Sequence, residues 1–367
     1  MFHKLKSNKN DYRKETLIII KKLNIVKIIS SLVASLTVFT SMGFTSVASE
    51  TSQISIPQDI IDSSQISQAT QVPKPLILDM DFCTDVDDAC ALRVAATLHK
   101  MGKIDLKAVC LCVTGGNNLA AANGLLEHDG VHNIPIGRSS QDIPDTSPYW
   151  GILSQYSSNL QVIDSVKLYR YIISTSPTPV TIVTTGYVTN LADFMKSQPD
   201  EISPKTGLEL VRDNVAEIYI QGGGYPEGLD NNFFYEDEAK AALDIILQIC
   251  TKPLYFIQAN TGGPATCGAV LQENAEYKND PVTKALEAWG TSNGRAAWDP
   301  MAVWIASSND LAECGVAAAR TDIEFNKYTG ANKFVDSPTG AHYRVYRTSD
   351  NLKWYSNRLD ELVICRR

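Results

Sequence analysis

"PLILDMDFCTDVDDACAL", Pro75 to Leu92, runs from an unbroken apolar segment into five aspartates within ten positions, then into small apolar residues. Asp79, Asp81, Asp85, Asp87 and Asp88 repel one another at that spacing, and buried Asp is rare unless it is paired or bound to a metal. Pro75 to Met80 reads as a buried strand. "DDACALRVAATLHKMG" reads as a helix, with acids in its first turn, where carboxylates favour the dipole, and Gly102 near its end. The unit is therefore strand, acid loop, helix.

The same alternation continues outward. "LKAVCLCVT", "NIPIG", "PVTIVTTG", "VAEIYIQGGG" and "PLYFIQAN" have strand character, while "NLAAANGLLEHDG", "NLADFMKSQP" and "DEAKAALDIILQI" have helical character. Such alternation predicts an α/β fold with a mostly parallel central sheet and flanking helices, a Rossmann-like open sheet. Ligands of such sheets bind beyond the carboxyl ends of the strands, which is where the acid loop falls. Polar clusters follow other strands: "TTGYVTN" (184–190), "QGGGYPEGLDNN" (221–232) and, later, "RAAWDPMAVW" (295–304). Converging Asp and Asn oxygens without clustered Lys or Arg point to a hard cation, Ca²⁺ or Mg²⁺, and a polyhydroxyl ligand.

The 367 residues are 44% hydrophobic and 20% charged, a globular composition with length for one large α/β domain or two ordinary ones. Residues 1–27 carry eight Lys/Arg against Asp11 and Glu15, and Ile28 to Ser49 carries no charge. The run ends in Ser46-Val47-Ala48, the layout of a secretory signal over residues 1–48. Its length also suits a membrane anchor. Cleavage would remove that basic segment from a chain whose formal charge is already −8. So acidic a body is a poor partner for nucleic acid polymers, and membrane contact is expected only through an uncleaved signal. Residues 49–74 are rich in Ser, Gln and Thr and read as a flexible leader, which leaves 75–367 as the catalytic domain.

All eight cysteines follow the signal and none forms CxxC, so spacing argues against zinc. Cys110 and Cys112 share one face of a strand. Most are expected to be buried core thiols, with a disulfide or two permitted by export.

Several chemistries are tested by the acid loop itself. An EF-hand counted from Asp79 would need Gly and Glu where Thr84 and Cys90 stand. A haloacid-dehalogenase-type phosphatase would match Asp79 and Asp81, but Cys83 holds the position of its Thr/Val, and no later Lys with paired acids completes the set. Helix capping accounts for Asp87 and Asp88 alone.

The ordered set of segments resembles the inosine-uridine-preferring nucleoside hydrolases. "LILDMDFCTDVDDACAL" is similar to their aspartate-rich N-terminal signature, "TTGYVTNLA" to GPLTNLA, and "IYIQGGGY" to a strand ending in Met-Gly-Gly. "DNNFFYEDEAKAAL" resembles EFNxxxDPEAA, and "AAWDPMAVW" the late HDPLA segment. Together they span Leu76 to Trp304. Two features depart from the pattern. Five residues rather than three separate Asp81 from Asp87-Asp88, so Asp85 is open to either partner's role; and Trp298 stands where many members have His. The upstream His-Gly segment is also missing from "IGRSSQDIPD".

The resemblance implies cleavage of the N-glycosidic bond of ribonucleosides, which passes through an oxocarbenium-like state served by carboxylates and an attacking water. It implies Ca²⁺ held by Asp81, Asp88, Asp299 and the Thr189 carbonyl, with Asp81 as general base. Asp87 would hold ribose hydroxyls, Asp230 and Asn232 would grip the sugar opposite, and Asn117 is a further candidate for a sugar contact. A homodimer or homotetramer is also implied. Simpler readings stand beside these: Asp230 to Asn232 as turn residues, Asp299 before Pro300 as a helix cap. Gly222-Gly223-Gly224 lacks the Lys-Ser/Thr of a phosphate loop. The histidines are His3, His99, His128, His132 and His342, and only His342, in a hairpin-like C-terminal stretch, is placed to reach the site. Aromatic stacking by Trp298, with Tyr225 or Phe233, is therefore expected to replace a leaving-group acid. The alternatives are a hydrolase of a modified nucleoside or other ribosylated compound, a catalytically silent nucleoside-binding protein, and the phosphatase.

Overall fold

The computed structural model describes residues 72–364. The expected signal, the leader up to residue 71 and Cys365 lie outside the described residues. The strands are β1 (Lys74–Met80), β2 (Ile104–Leu111), β3 (Ile136–Arg138), β4 (Val162–Asp164), β5 (Val180–Thr184), β6 (Val215–Gln221), the short β7 (Glu227–Gly228) and β8 (Leu254–Ile257). After them come β9 (Thr266–Cys267), β10 (Arg295–Ala296), β11 (Val316–Phe325), β12 (Asn332–Asp336) and β13 (His342–Arg347). The longer helices are α1 (Asp87–Lys100), α2 (Asn118–His128), α3 (Ser165–Thr175), α4 (Thr189–Lys196), α5 (Gly207–Asn214), α6 (Asp237–Ile249), α7 (Pro281–Trp289), α8 (Trp298–Ser307) and α9 (Leu352–Val363).

Among the described residues, eleven strands form one sheet in the order β4-β3-β2-β1-β5-β6-β8-β13-β11-β12-β7. From β4 to β13 neighbours run parallel; β11, β12 and β7 extend the sheet antiparallel. The expected α/β architecture, a mostly parallel sheet with flanking helices, is present. β1 reads as a continuous apolar run because both its faces are covered: Leu76, Leu78 and Met80 enter one core and Ile77 the other. Successive connections lead from β1 out to β4 and then return to β5 on the opposite side of β1. That reversal opens a crevice at the carboxyl ends of β1 and β5, and the acid loop leaves β1 there.

α1 is buried over most of its circumference and packs against α8 and α9. Its small residues, Ala89, Ala91, Ala95 and Ala96, permit that close approach. Arg93, with its side chain fully buried, pairs with Asp129 and donates two hydrogen bonds to Asp280 at 3.0 and 3.2 Å. Asp280 also caps α7 through Val282 N–H at 2.8 Å. The ion pair thus ties the helix carrying Asp87 and Asp88 to the helix that ends at Trp289.

The C-terminal stretch differs from the sequence expectation. "TGAHYRVY" does not fold back on its neighbour as a hairpin; β13 inserts between β8 and β11, parallel to one and antiparallel to the other. His342 consequently lies at the amino end of a parallel strand, the edge opposite the acid loop. Its Nδ1 accepts the Leu254 N–H at 3.3 Å, and burial lowers its pKa. It is a neutral acceptor within the sheet and cannot serve the crevice. Seven cysteines are described and all are free, six of them buried. No helix among the described residues is long and apolar enough to cross a membrane.

Candidate active site

The crevice is a cleft of about 480 Å³ whose lining carries seven aspartates and one guanidinium, that of Arg295. A larger depression of about 770 Å³ runs along the β11–β12 hairpin and shares only Leu229 with it. The acid loop is held open by distant donors. Trp150 Nε1 donates to Phe82 O at 2.8 Å, Tyr149 Oη to Asp85 O at 2.7 Å and Trp289 Nε1 to Thr84 O at 2.8 Å. Phe82 adopts φ 45° with its ring fully buried, a left-handed conformation that an L-residue tolerates only when its surroundings enforce it.

Asp88 is the hub of the acid cluster. Its oxygens accept from Phe82 N at 3.0 Å and Cys83 N at 3.3 Å, and its carboxyl lies within hydrogen-bonding reach of Asp81 and Asp299. Asp87 Oδ2 accepts the Asp299 N–H at 3.1 Å, so the first turn of α1 meets the first turn of α8. Burial, then mutual repulsion, pushes Asp87, Asp88 and Asp299 well above the usual carboxylate range. Burial raises Asp81, which retains partial exposure to the cleft, to about 6.

Asp85, open to either role on sequence grounds, turns away from this cluster. It takes a bidentate ion pair from Arg295, Nε to Oδ1 at 2.8 Å and Nη2 to Oδ2 at 2.6 Å. The Arg295 guanidinium in turn lies 4.4 Å from the Trp289 ring centroid and 4.8 Å from that of Trp298. A pair so exposed contributes only about 0–1 kcal/mol to stability, so its consequence is positional. Asp79 also leaves the cleft: Tyr169 Oη donates to it at 2.7 Å and Asn190 Nδ2 at 3.0 Å, and burial raises its pKa to about 7. It fastens β1 to α3 and α4.

Opposite the cluster, Asp230 Oδ1 accepts Asn232 N–H at 3.0 Å, and burial raises Asp230 to about 6. Asn232 Nδ2 donates to Gln221 Oε1 at 2.6 Å and Thr185 O at 3.2 Å, joining the ends of β6 and β5 and leaving its Oδ1 without a hydrogen-bond donor among the described residues. The cap and the cleft position therefore coexist at Asp230, whereas Asp299 is not the expected cap: α8 begins at Trp298 after Ala297, with no side-chain cap, and Asp299 lies inside its first turn. Gly223, at φ 92°, lets the chain turn past the rings of Phe233 and Phe334, where a side chain would collide.

Gly186 is required for a different reason. A methyl group there would meet Asp81 Cβ at 2.8 Å and Cys112 Sγ at 2.9 Å, because the loops after β1 and β5 touch at the switch point. Gly186→Ala is expected to cost about 1–3 kcal/mol. Urea unfolding with an unchanged midpoint would show that the two loops do not need this contact.

The structure brings Asp81, Asp87, Asp88, Asp230, Asn232, Trp298 and Asp299 to one cleft. Thr189 opens α4, fully buried, its hydroxyl without a partner among the described residues. Asn117 is not brought in: it remains exposed as the residue before α2, while Asn118 turns inward to donate to Val113 O at 3.0 Å. Trp150 packs over Gly115 and Gly116 and closes that approach. Tyr225 lies under Arg344, and Phe233 is buried against Phe256 and Phe325, so neither lines the cleft. Its aromatic walls are instead Tyr187, Tyr235, Trp289 and Trp298. Sequence reasoning missed Arg295 and Trp289; the only signal was the two extra residues that bring in Asp85.

The donor set fits a hard divalent cation. Asp81, Cys83 and Asp88 present ligand atoms within 4.8 Å of one another, and among the described residues no basic side chain contacts Asp81, Asp88 or Asp299. Burial and the surrounding carboxylates push the Cys83 thiol up, and hard divalent cations prefer the carboxylate oxygens beside it. The hydroxyl of Thr185, which also lines the cleft, is buried without a partner among the described residues.

No protein-family model and no curated protein sequence matches this chain. Solved structures do. An inosine-uridine preferring nucleoside hydrolase from Bacillus anthracis is 13% identical at a TM-score of 0.57, over 79% of this chain and 99% of its own. A purine-preferring ribonucleoside hydrolase from Gardnerella vaginalis is 15% identical at 0.61, over 79% and 98%. The type III effector protein XopQ, solved complexed with adenosine diphosphate ribose, is 16% identical at 0.60, over 80% and 94%. The chain has the fold of the nucleoside hydrolases.

Proposed function

We propose that this chain hydrolyses the N-glycosidic bond of ribonucleosides, releasing ribose and free base, and that it does so with a bound calcium ion. The observation that carries the reading is the convergence of Asp81, Asp87, Asp88 and Asp299 at the switch point, facing Asp230 and Asn232 across the cleft. In this reading Asp81, Asp88, Asp299 and the main-chain oxygen of Thr189 hold the ion. When bound, it supplies Lewis acidity toward an attacking water and positive charge to match the carboxylates.

The chain's own residues carry the remaining work. Asp81, the cluster member that keeps contact with solvent, accepts the proton of the attacking water. Asp87, fixed by the Asp299 N–H, grips ribose hydroxyls from one side, and Asp230 with the free Oδ1 of Asn232 grips them from the other. These carboxylates also stabilise the positive charge that develops on the sugar. Trp298, anchored through Nε1 to Ala259 O at 3.1 Å, supplies an indole wall for the base.

The basic, then uncharged, segment of residues 1–48 supports export, with 75–367 as one catalytic domain. A homodimer or homotetramer is carried over from the family resemblance. Hydrolysis of another ribosylated compound is the second reading, favoured by the likeness to the effector solved with adenosine diphosphate ribose.

Incubation with inosine, uridine, a nitrophenyl riboside and a nitrophenyl phosphate, with and without EDTA, tests the proposal. Ribose release that stops on chelation is expected. Phosphate release would replace the reading with a phosphatase, and binding without products with a silent binding protein. Trp298→Ala should reduce kcat/KM for inosine about tenfold, since stacked contacts contribute about 0.5–1.5 kcal/mol beyond burial. It should affect the activated nitrophenyl riboside far less; equal losses on both would remove Trp298 from leaving-group chemistry.

A further inference from the structure

We propose that Arg295, clamped by Asp85 between Trp289 and Trp298, reads the leaving base and makes this cleft selective for 6-oxopurine ribonucleosides. The inference rests on the hydrolase reading and adds to it the substrate class. Arg295 stands on β10, a strand pinned to β9, three positions before the start of the helix that presents Asp299. Its Nε and one N–H of Nη2 are spent on Asp85. A guanidinium has five N–H groups, so two on Nη1 and one on Nη2 remain, and no hydrogen bond from them is made among the described residues. The adjacent pair on Nη1 and Nη2 forms a fork in the plane of the guanidinium.

That fork is complementary to a purine whose Hoogsteen edge offers two acceptors. Hypoxanthine and guanine present O6 and N7 together; adenine presents N7 beside an amino donor, which meets an arginine N–H donor to donor. Asp85 is essential to the arrangement, since an unrestrained arginine would sample many rotamers between the two indoles, and ordering it on binding would weaken the contact. The same contact acts on the reaction. As the bond between C1′ and N9 breaks, its electron pair enters the purine, and charge accumulates at N7 and O6, where Arg295 donates without giving up a proton. The attacking water yields its OH to C1′ and one proton to Asp81; the purine anion takes one proton from solvent on release and Asp81 returns its own to solvent, so the step balances. None of the histidines among the described residues lines the cleft to supply such a donor.

The test is kcat/KM for inosine, guanosine and adenosine with the wild-type chain, Arg295→Gln and Arg295→Lys. A site built to meet paired acceptors is expected to favour inosine and guanosine over adenosine by roughly tenfold to a hundredfold. Both variants should bring the ratio toward one: lysine keeps the charge but loses the fork. A wild-type ratio near one, or a ratio unchanged in both variants, overturns the proposal. Wild-type cleavage of a nitrophenyl riboside separates this from failure of the hydrolase reading. Should the wild type cleave no riboside at all, calorimetric binding of inosine against adenosine decides the inference: preference lost in Arg295→Gln upholds it, and equal affinities sink it.

Discussion

Asp81→Asn should lower ribose release from inosine by about a thousandfold, within the range for loss of a positioned general base. The substitution is nearly isosteric and removes one negative charge from a cluster in which Asp81, Asp87, Asp88 and Asp299 repel each other. Asparagine keeps an acceptor for the Cys83 and Asp88 hydrogen bonds that Asp81 receives, so the melting temperature should change little and the loss should fall on turnover. Asp85→Asn provides the contrast at the same loop: its carboxylate is committed to Arg295, so its effect should fall on base discrimination and far less on the activated nitrophenyl riboside. Ribose release and melting temperature measured together settle the matter. Retention of a third or more of the wild-type rate in Asp81→Asn would show that another group takes the water's proton.

Calcium should raise the melting temperature, and Asp88→Asn should abolish the response. A ligand that binds only the folded state at one hundred times its Kd stabilises by about 2.7 kcal/mol, a shift of roughly 4–5 °C for a domain of this size. The effect has a definite pH dependence. Asp87, Asp88 and Asp299 have pKa values raised well above those of the unfolded chain, and Asp81 is raised to about 6. Between about pH 4 and those values the metal-free fold holds protons that the unfolded chain has released. Its stability is full below the unfolded pKa and declines as pH rises through this window. Calcium replaces those protons, so its stabilising increment should be larger at pH 7 than at pH 5. In Asp88→Asn the metal-free protein should melt higher than the wild type at pH 7 and gain nothing from calcium. Differential scanning at the two pH values, with and without the ion, measures all four quantities. A calcium response that survives in Asp88→Asn would place the ion elsewhere.

The alternation of apolar runs and helical stretches made the parallel sheet legible, because strands covered on both faces must be apolar throughout and crossover helices must separate them. Helix α6 coincides with "DEAKAALDIILQI", and β1 begins one residue before the expected start. The C-terminal third was less readable. β13 joins β8 across a wide sequence interval, and nothing local in "TGAHYRVY" distinguishes a strand that pairs with its neighbour from one that inserts into the parallel sheet. Tyr225 and Phe233 illustrate the same limit, since aromatic character does not say whether a ring lines a cleft or fills a core.

Residue order alone determined that acids gather after β1 and that asparagine and aspartate follow later strands, since these are local facts of pattern. The tertiary structure decided which oxygens face each other. It turned Asp79 toward Tyr169 and Asp85 toward Arg295, and it brought Asp299, more than two hundred positions away in the chain, against Asp87. Alternation along a strand tells which side a residue takes, but a loop has no such period. Its side chains point wherever remote donors hold the backbone, and here Trp150, Tyr149 and Trp289 do that holding from segments that only folding brings near.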